Sequence, residues 1–467
     1  MGKTRSVRLG VAVGVAAAAA AGALLMPVDA VAKPIAAPAD FNGDGYRDLV
    51  VPAPTAKVGG KDGAGAVVVL YGSKSGVSAS RKVVITQNTA KVPDSAETGD
   101  GFGASTAFAD LDKDGYGDLI VGAPDEDLGS AKDAGSVTVL WGGKSGLSAV
   151  STLPVPRGSY GRYGLDVAAV RDSGGARVLV AGYAGSIEFS GTFTRAGSAR
   201  IATLYPQTGS AAVVEYSDFN HDGRAERIVT SIRAGGYSGG LVYIDPRDGS
   251  HVPLSTDGRT TAVGDVNGDG YNDLVVGDPD EPRTGTSGHR GGELTLWYGG
   301  PQGLAAKPVH ISQDTPGVSG TSHTHYGFGT AVAVADLNKD GLADIVVGVP
   351  GQTQNNQANA GVVVVIPGKK TGTPGVRSYQ LSQETVSVPG TSAQGDGFGT
   401  TLAVGDLNRD GHPDVVVGAP GEDHYRGAVW VLPGTSTHPT GKGSVELTAA
   451  KLGVGGESPQ VGGFQPV

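Results

Sequence analysis

The sequence predicts an all-β fold, a seven-bladed β-propeller of four-stranded blades with calcium-binding hairpin loops. Three observations carry that prediction. An acidic loop running straight into an apolar stretch recurs six times, and a degenerate seventh copy falls in the one long gap between them. The intervening segments are short, Val-rich runs bounded by Gly, Pro, Asn or Asp, which read as strands and turns. Past the N-terminus no 12-residue window shows an i, i+3, i+4, i+7 stripe, and the 79 glycines disfavour long helices, at about 1 kcal/mol each relative to Ala.

The first loop is "DFNGDGYRD" (40–48), followed by "LVV". It returns as "DLDKDGYGD" (110–118), "DFNHDGRAE" (218–226), "DVNGDGYND" (265–273), "DLNKDGLAD" (336–344) and "DLNRDGHPD" (406–414). Successive copies start 47 to 71 residues apart, except across one gap of 108. That gap holds "VRDSGGARVLVAG" (170–182), in which "VLVAG" matches the "LIVG" behind the second loop and only Asp172 survives of the acidic positions. A degenerate unit near 160–205 therefore completes seven.

After each loop's strand comes a third, such as "AVVVLYG" or "SVTVLWGG", and most units close with a fourth, such as "KVVITQ" or "PVHISQ". A unit thus reads strand, acidic loop, strand, loop, strand, turn, strand. Four-stranded units of this length suit propeller blades, which close radially and leave only short edges. The rungs of a linear β-solenoid, the rival architecture, are shorter.

Two further motifs flank the loops. Phe-Gly stands eight residues ahead of the first Asp in three units, at Phe102-Gly103, Phe328-Gly329 and Phe398-Gly399. Val-Gly-Ala-Pro or a variant follows the loop at 51–54, 121–124, 276–279, 347–350 and 417–420. Together these motifs resemble the FG-GAP repeats of integrin α-subunit heads and of secreted bacterial proteins. The resemblance implies a single seven-bladed propeller over residues 33–467. Units three and four, about 155–258, depart most from the pattern. The first unit lacks its own Phe-Gly, and the tail at Gly463-Phe464 is expected to dock beside it and close the ring.

The loops read as calcium sites. In D-x-[ND]-x-D-G-x-x-[DE], positions 1, 3, 5 and 9 offer side-chain oxygens, Gly at 6 permits a sharp turn, and position 7 offers its carbonyl. The expected ligands are Asp40, Asn42, Asp44, Tyr46 and Asp48 in the first loop, and Asp110, Asp112, Asp114, Tyr116 and Asp118 in the second. They are Asp218, Asn220, Asp222, Arg224 and Glu226 in the next, then Asp265, Asn267, Asp269, Tyr271 and Asp273. The last two loops supply Asp336, Asn338, Asp340, Leu342 and Asp344, and Asp406, Asn408, Asp410, His412 and Asp414. Position 7 shares no side-chain chemistry across the loops, so only its main chain can serve. Hard oxygens suit Ca²⁺, in up to six sites, rather than zinc. Ordinary Asx turns use the same residues, but six identically spaced copies favour metal. The degenerate unit should bind none.

Residues 1–32 read as a secretory signal peptide, with Lys3, Arg5 and Arg8 ahead of an apolar run and an Ala30-Val31-Ala32 cleavage site. A retained anchor is the rival, but no stop-transfer charges follow. The expectation is a secreted, extracellular monomer without a membrane span. Its formal charge of -10 makes it a poor nucleic-acid binder. It has no cysteine, so no disulfides, and stability must come from a core or from metal.

Other motifs carry less. "GGKS" (142–145) lacks the Gly that a phosphate loop needs at 138, where Thr stands, and "GYSGG" (236–240) lacks the following helix of a nucleophile elbow. Nine histidines are scattered; His323 and His325 could share a strand face. The loops joining second to third strands vary in length and lie opposite the calcium loops, and recognition favours variable loops on a rigid scaffold. Asp125, Glu126, His289, His325, His424 and Tyr425 are the candidates for that face. The favoured function is a binding and adhesion scaffold for an extracellular protein or glycan, more a binder than an enzyme. The alternative is a hydrolase or lyase with its site on the same face.

Overall fold

Each unit folds as a four-stranded antiparallel sheet whose strands pair in sequence order, and seven such sheets form the described chain. The computed structural model describes residues 36–463 except 198–199, 206–210, 234–236, 246, 248 and 283–287. The expected signal peptide lies outside the described residues. Blades 1 and 2 run from Ala36 to Ile85 and from Ser105 to Thr152, and the degenerate unit is blade 3, Val167 to Tyr205. Blades 4 to 7 run Ala211–Gly258, Thr260–Ile311, Val332–Leu381 and Thr401–Thr448. The first strands of neighbouring blades adjoin around the axis, and blade 7 meets blade 1.

The second strand of a blade is apolar along its whole length because blades pack face to face. Asp118–Ala123, Asp344–Val349 and Asp414–Ala419 are buried at every residue. Outer strands show more surface; Lys82–Ile85 buries only its last residue. The core therefore lies in layers between blades: Phe41, Val50 and Val67 with Phe102 and Val121 between blades 1 and 2, and Val346 and Val363 with Val404 and Trp430 between blades 6 and 7.

The Phe-Gly pairs stitch these layers. Phe102 N–H donates to Ala64 O in the blade before it (3.0 Å), and Gly103 N–H to Gly122 O in its own blade (2.9 Å). Gly103 has φ +93, and a Cβ there would sit 2.7 Å from Ala66 O, so glycine is required. Blade 3 makes the same stitch with Tyr163-Gly164, bonded to Ala134 O (3.0 Å) and Ala181 O (3.0 Å). The pair was not legible because Tyr replaces Phe and the Gly-Ala-Pro landmark is gone.

Ring closure follows the expectation in kind but not in register. Val461 N–H donates to Arg426 O of blade 7 (3.1 Å) and Gly462 N–H to Pro52 O of blade 1 (3.1 Å). Val461-Gly462, not Gly463-Phe464, holds the Phe-Gly position; Phe464 lies outside the described residues. A buried aliphatic at Val461 fills the place of the ring.

A second clasp crosses three blade junctions. Gln87, Gln313 and Gln383, buried at the ends of fourth strands, donate to Glu126, Gln352 and Glu422 of the following blade. Burial, and then Asp100 and Asp94, push Glu126 up to about 9 from 4.5. The folded chain thus holds this proton more tightly than the unfolded chain, so stability is fullest below about pH 4.5 and falls as pH rises toward 9. Glu126→Gln, which copies Gln352, removes that loss. It is expected to raise the melting temperature at pH 8 by about 2–4 °C and to leave it nearly unchanged at pH 4.5. Equal effects at both pH values would contradict the assignment.

The turn between third and fourth strands contains "GGKS", as expected. Tyr237–Gly240 lies within a strand, Tyr237–Ile244, rather than an elbow. His323 and His325 sit in a loop, with His323 against Tyr326 at 5.0 Å between ring centres.

Candidate metal centres

All six acidic loops join first to second strands, and all six fold the same way. The position-1 carboxylate takes the N–H of Gly at position 6, at 2.8 to 3.0 Å: Gly45 to Asp40, Gly115 to Asp110, Gly223 to Asp218, Gly270 to Asp265, Gly341 to Asp336 and Gly411 to Asp406. Those six glycines have φ between +85 and +91, where a side chain is strained. Position 7 enters the loop through its main-chain N–H rather than through the carbonyl expected to face a metal. The N–H of Tyr46, Tyr116, Arg224, Tyr271, Leu342 or His412 donates to the position-5 Asp at 2.9 to 3.0 Å.

Position 9 is the buried anchor. One oxygen of Asp118 accepts from Leu111 N–H (2.8 Å) and the other from Gly142 N–H (2.9 Å), in the turn between third and fourth strands. Asp48, Asp273, Asp344 and Asp414 repeat this with Gly72, Gly299, Gly368 and Gly434. The acidic loops and those turns therefore share one face. In blade 4 the longer Glu226 keeps the first of these contacts, from Phe219 N–H, and its other oxygen takes the side chain of Asn220.

Burial, then neighbouring loop carboxylates, push Asp48, Asp118, Glu226, Asp273 and Asp344 up to about 7, and Asp414 to about 6, against the backbone donors that lower them. Such a cluster carries excess negative charge, which in the second loop Arg195 offsets in part, at 2.7 Å from Asp114 and 3.5 Å from Asp112. In the second loop Asp110, Asp112 and Asp118 each bring one oxygen within 4.8 Å of the others. Asp112 Oδ1 is buried without a hydrogen-bond partner. Converging hard oxygens with an unspent acceptor fit a cation such as Ca²⁺.

Blade 3 carries its own cation. Arg177 stands in the register of Asp118: its pairing with Val170 corresponds to that of Asp118 with Ala109. Its guanidinium is buried, pairs with Asp172, reaches Glu188 Oε1 (3.3 Å) and Ala225 O (3.0 Å), and lies over the Tyr216 ring at 4.9 Å. Arg227 and two tyrosine hydroxyls, of Tyr205 and Tyr216, complete the shell around Glu188. A fixed guanidinium thus stands at the register position where the other six blades present an acid. Laying "ARVLVAG" over "GDLIVGA" would have exposed the exchange of Asp for Arg.

The candidates for the opposite face separate. Glu126 is buried in its clasp with Gln87. Asp125 pairs with Arg162 (2.6 Å), and His289 faces Asp314 (3.5 Å). His325 and Tyr425 come together on a cavity of about 450 Å³ with Arg259, Asp280, Glu281, Tyr326, Thr330 and Thr400. His424 is fully exposed beside that rim. Sequence reasoning missed Arg259, Asp280 and Glu281, because loops of three successive blades, distant in sequence, build the cavity.

Comparison with known proteins agrees with this geometry. The FG-GAP repeat family matches residues 34–70, 102–140, 258–295, 328–366 and 398–432, which fall on blades 1, 2, 5, 6 and 7. Phosphatidylinositol-glycan-specific phospholipase D of Bos taurus is 32% identical over 211 residues, covering 44% of this chain and 24% of that protein. Integrin alpha pat-2 of Caenorhabditis briggsae is 37% identical over 210 residues, 42% of this chain and 15% of its own length. Human integrin alpha-7 is 36% identical over 129 residues, 27% of this chain and 10% of its own. The chain spans about a quarter or less of the relatives it matches. Among the described residues no helix is long and apolar enough to cross a membrane.

Proposed function

We propose, from a seven-bladed propeller with FG-GAP repeats in five of its blades, that this chain is a secreted, calcium-stabilised scaffold. It binds an extracellular protein or glycan on the face opposite its calcium loops, as a monomer and without catalysis. Asp and Asn oxygens of six loops would hold Ca²⁺, with Asp48, Asp118, Glu226, Asp273, Asp344 and Asp414 as the buried ligands. Bound Ca²⁺ supplies the charge that these clusters lack. The residues themselves fix each hairpin, so the metal motif serves the frame.

The observation that carries the binding face is the cavity among loops of blades 5, 6 and 7. Strain accompanies it: Asp423, His424 and Tyr425 are left-handed in succession, with φ of +51, +58 and +65, and Tyr425 is 51% exposed. Backbone strain held on an exposed rim is a mark of recognition sites. The relatives named for a phospholipase D raise hydrolysis as the second reading.

The test is binding by the full chain in excess calcium to soluble proteins and glycans of its surroundings. His325→Ala with Tyr425→Ala should abolish binding, while Lys74→Ala on the calcium-loop face should not. Equal effects from both faces would contradict the reading. Substrate turnover lost on His325→Ala or His424→Ala would replace it with the hydrolytic one.

A further inference from the structure

Within the proposed binding face, and resting on that reading, we propose that the cavity lined by Arg259, Glu281 and Tyr425 is a site for a neutral saccharide of one or two rings. Its floor is a single register position seen in several blades. The residue just before the one that pairs with Gly277 is Arg259, and before the one that pairs with Gly418 is Thr400; Thr330 holds the corresponding place in blade 6, and Ala104 in blade 2. Arg259 thus brings a guanidinium where the other blades have a hydroxyl or a methyl. About a quarter of its side chain is exposed, and its nearest carboxylate, Asp280, is 3.9 Å away, beyond hydrogen-bond reach. Its exposed N–H groups can donate to a ligand.

Acceptors stand beside those donors. Asp280 Oδ2 takes Ser238 N–H (2.5 Å), and Glu281 Oε1 takes the N–H groups of His325 (2.8 Å) and Gly291 (3.2 Å), which leaves each carboxylate a second oxygen. Glu281 is the counterpart of Glu126, but it faces this cavity rather than a glutamine clasp. The hydroxyls of Thr330 and Thr400 donate to Gly327 O (2.7 Å) and Gly397 O (2.6 Å), so both keep lone pairs to accept.

Tyr326 and the half-exposed Tyr425 line the cavity, and His325 holds the left-handed conformation (φ +67) that Gly395 holds (φ +86) in the next blade. Aromatic rings offer apolar faces with a polar tip, which match the C–H face and hydroxyl edge of a pyranose. Each sugar hydroxyl both donates and accepts, so a site mixing guanidinium donors with carboxylate acceptors suits adjacent hydroxyls. The volume is that of a small-molecule site.

Charge selects among sugars. One Arg against Asp280 and Glu281 leaves the described lining net negative, and the chain carries a formal -10. Both repel uronic acids and sulfated sugars.

The probes are mono-, di- and trisaccharides of glucose, mannose, galactose and N-acetylglucosamine, with glucuronic-acid oligomers as the charged set. Saturation-transfer NMR and calorimetry on the full chain in excess calcium read binding. At least one neutral sugar should bind. Arg259→Met should weaken it about 10–100-fold, the worth of charge-assisted hydrogen bonds, and Lys74→Ala should not. Melting of Arg259→Met at the wild-type temperature separates loss of ligand contact from loss of fold. Absence of any neutral-sugar binding, binding of charged sugars only, or unchanged affinity in Arg259→Met would each overturn the proposal. A protein partner lost on His325→Ala with Tyr425→Ala, while no neutral sugar binds, overturns it and leaves the binding-face reading standing.

Discussion

Removal of residues 451–467 is expected to lower the melting temperature by more than about 10 °C or to abolish cooperative melting. The tail is the last stitch of the ring. Lys57 N–H donates to Gly455 O (3.0 Å) and Thr55 Oγ1 to Ser458 O (2.8 Å), while Val461 and Gly462 span blades 7 and 1. Leu452, Val454 and Val461 are buried in one cluster with Leu49, Val51 and Leu70 of blade 1 and Val429 of blade 7. Each such side chain is worth about 1.5–3 kcal/mol on burial, so the three together approach the net stability of a whole domain. Without them the junction of blades 1 and 7 loses these main-chain bonds and part of the apolar layer that the two blades share. Val461→Ala keeps the chain intact and should cost about 2 kcal/mol by denaturant unfolding. Wild-type melting by the truncated chain would remove the closure account.

Chelation carries the second large effect. Purified in calcium and then treated with EDTA, the protein should melt about 10 °C lower, and restored calcium should reverse the change. A ligand at ten times its Kd stabilises a folded state by about 1.4 kcal/mol per site, and six equal sites give about 8 kcal/mol. The physical cause is the cluster around each position-9 acid, which burial and neighbouring carboxylates push toward the neutral form. Blade 3 should be indifferent, because Arg177 already supplies its cation. An unchanged melting curve would mean that backbone N–H donors alone hold the loops.

Much of the fold could be read from repetition. Six copies of one loop fixed where second strands begin, and the structure starts strands at Asp48, Asp118, Glu226, Asp273, Asp344 and Asp414. What stayed hidden turns on substitutions within the repeat. Tyr163 for Phe, Arg177 for Asp and Val461 for Phe each keep a structural place while changing its letter. Glu126 read as an exposed acid because nothing local announces Gln87, 39 residues earlier in the chain. The cavity is harder still. Arg259, Glu281, Thr330 and Tyr425 meet only because three blades converge on one axis.

Calcium stoichiometry tests the central claim most directly. After dialysis against buffered calcium, metal analysis of the full chain should give six Ca²⁺ per molecule, and Asp112→Ala should give five with the fold retained. Fewer than two bound ions in the wild-type chain, or a count unmoved by Asp112→Ala, would contradict a propeller clamped by calcium blade by blade.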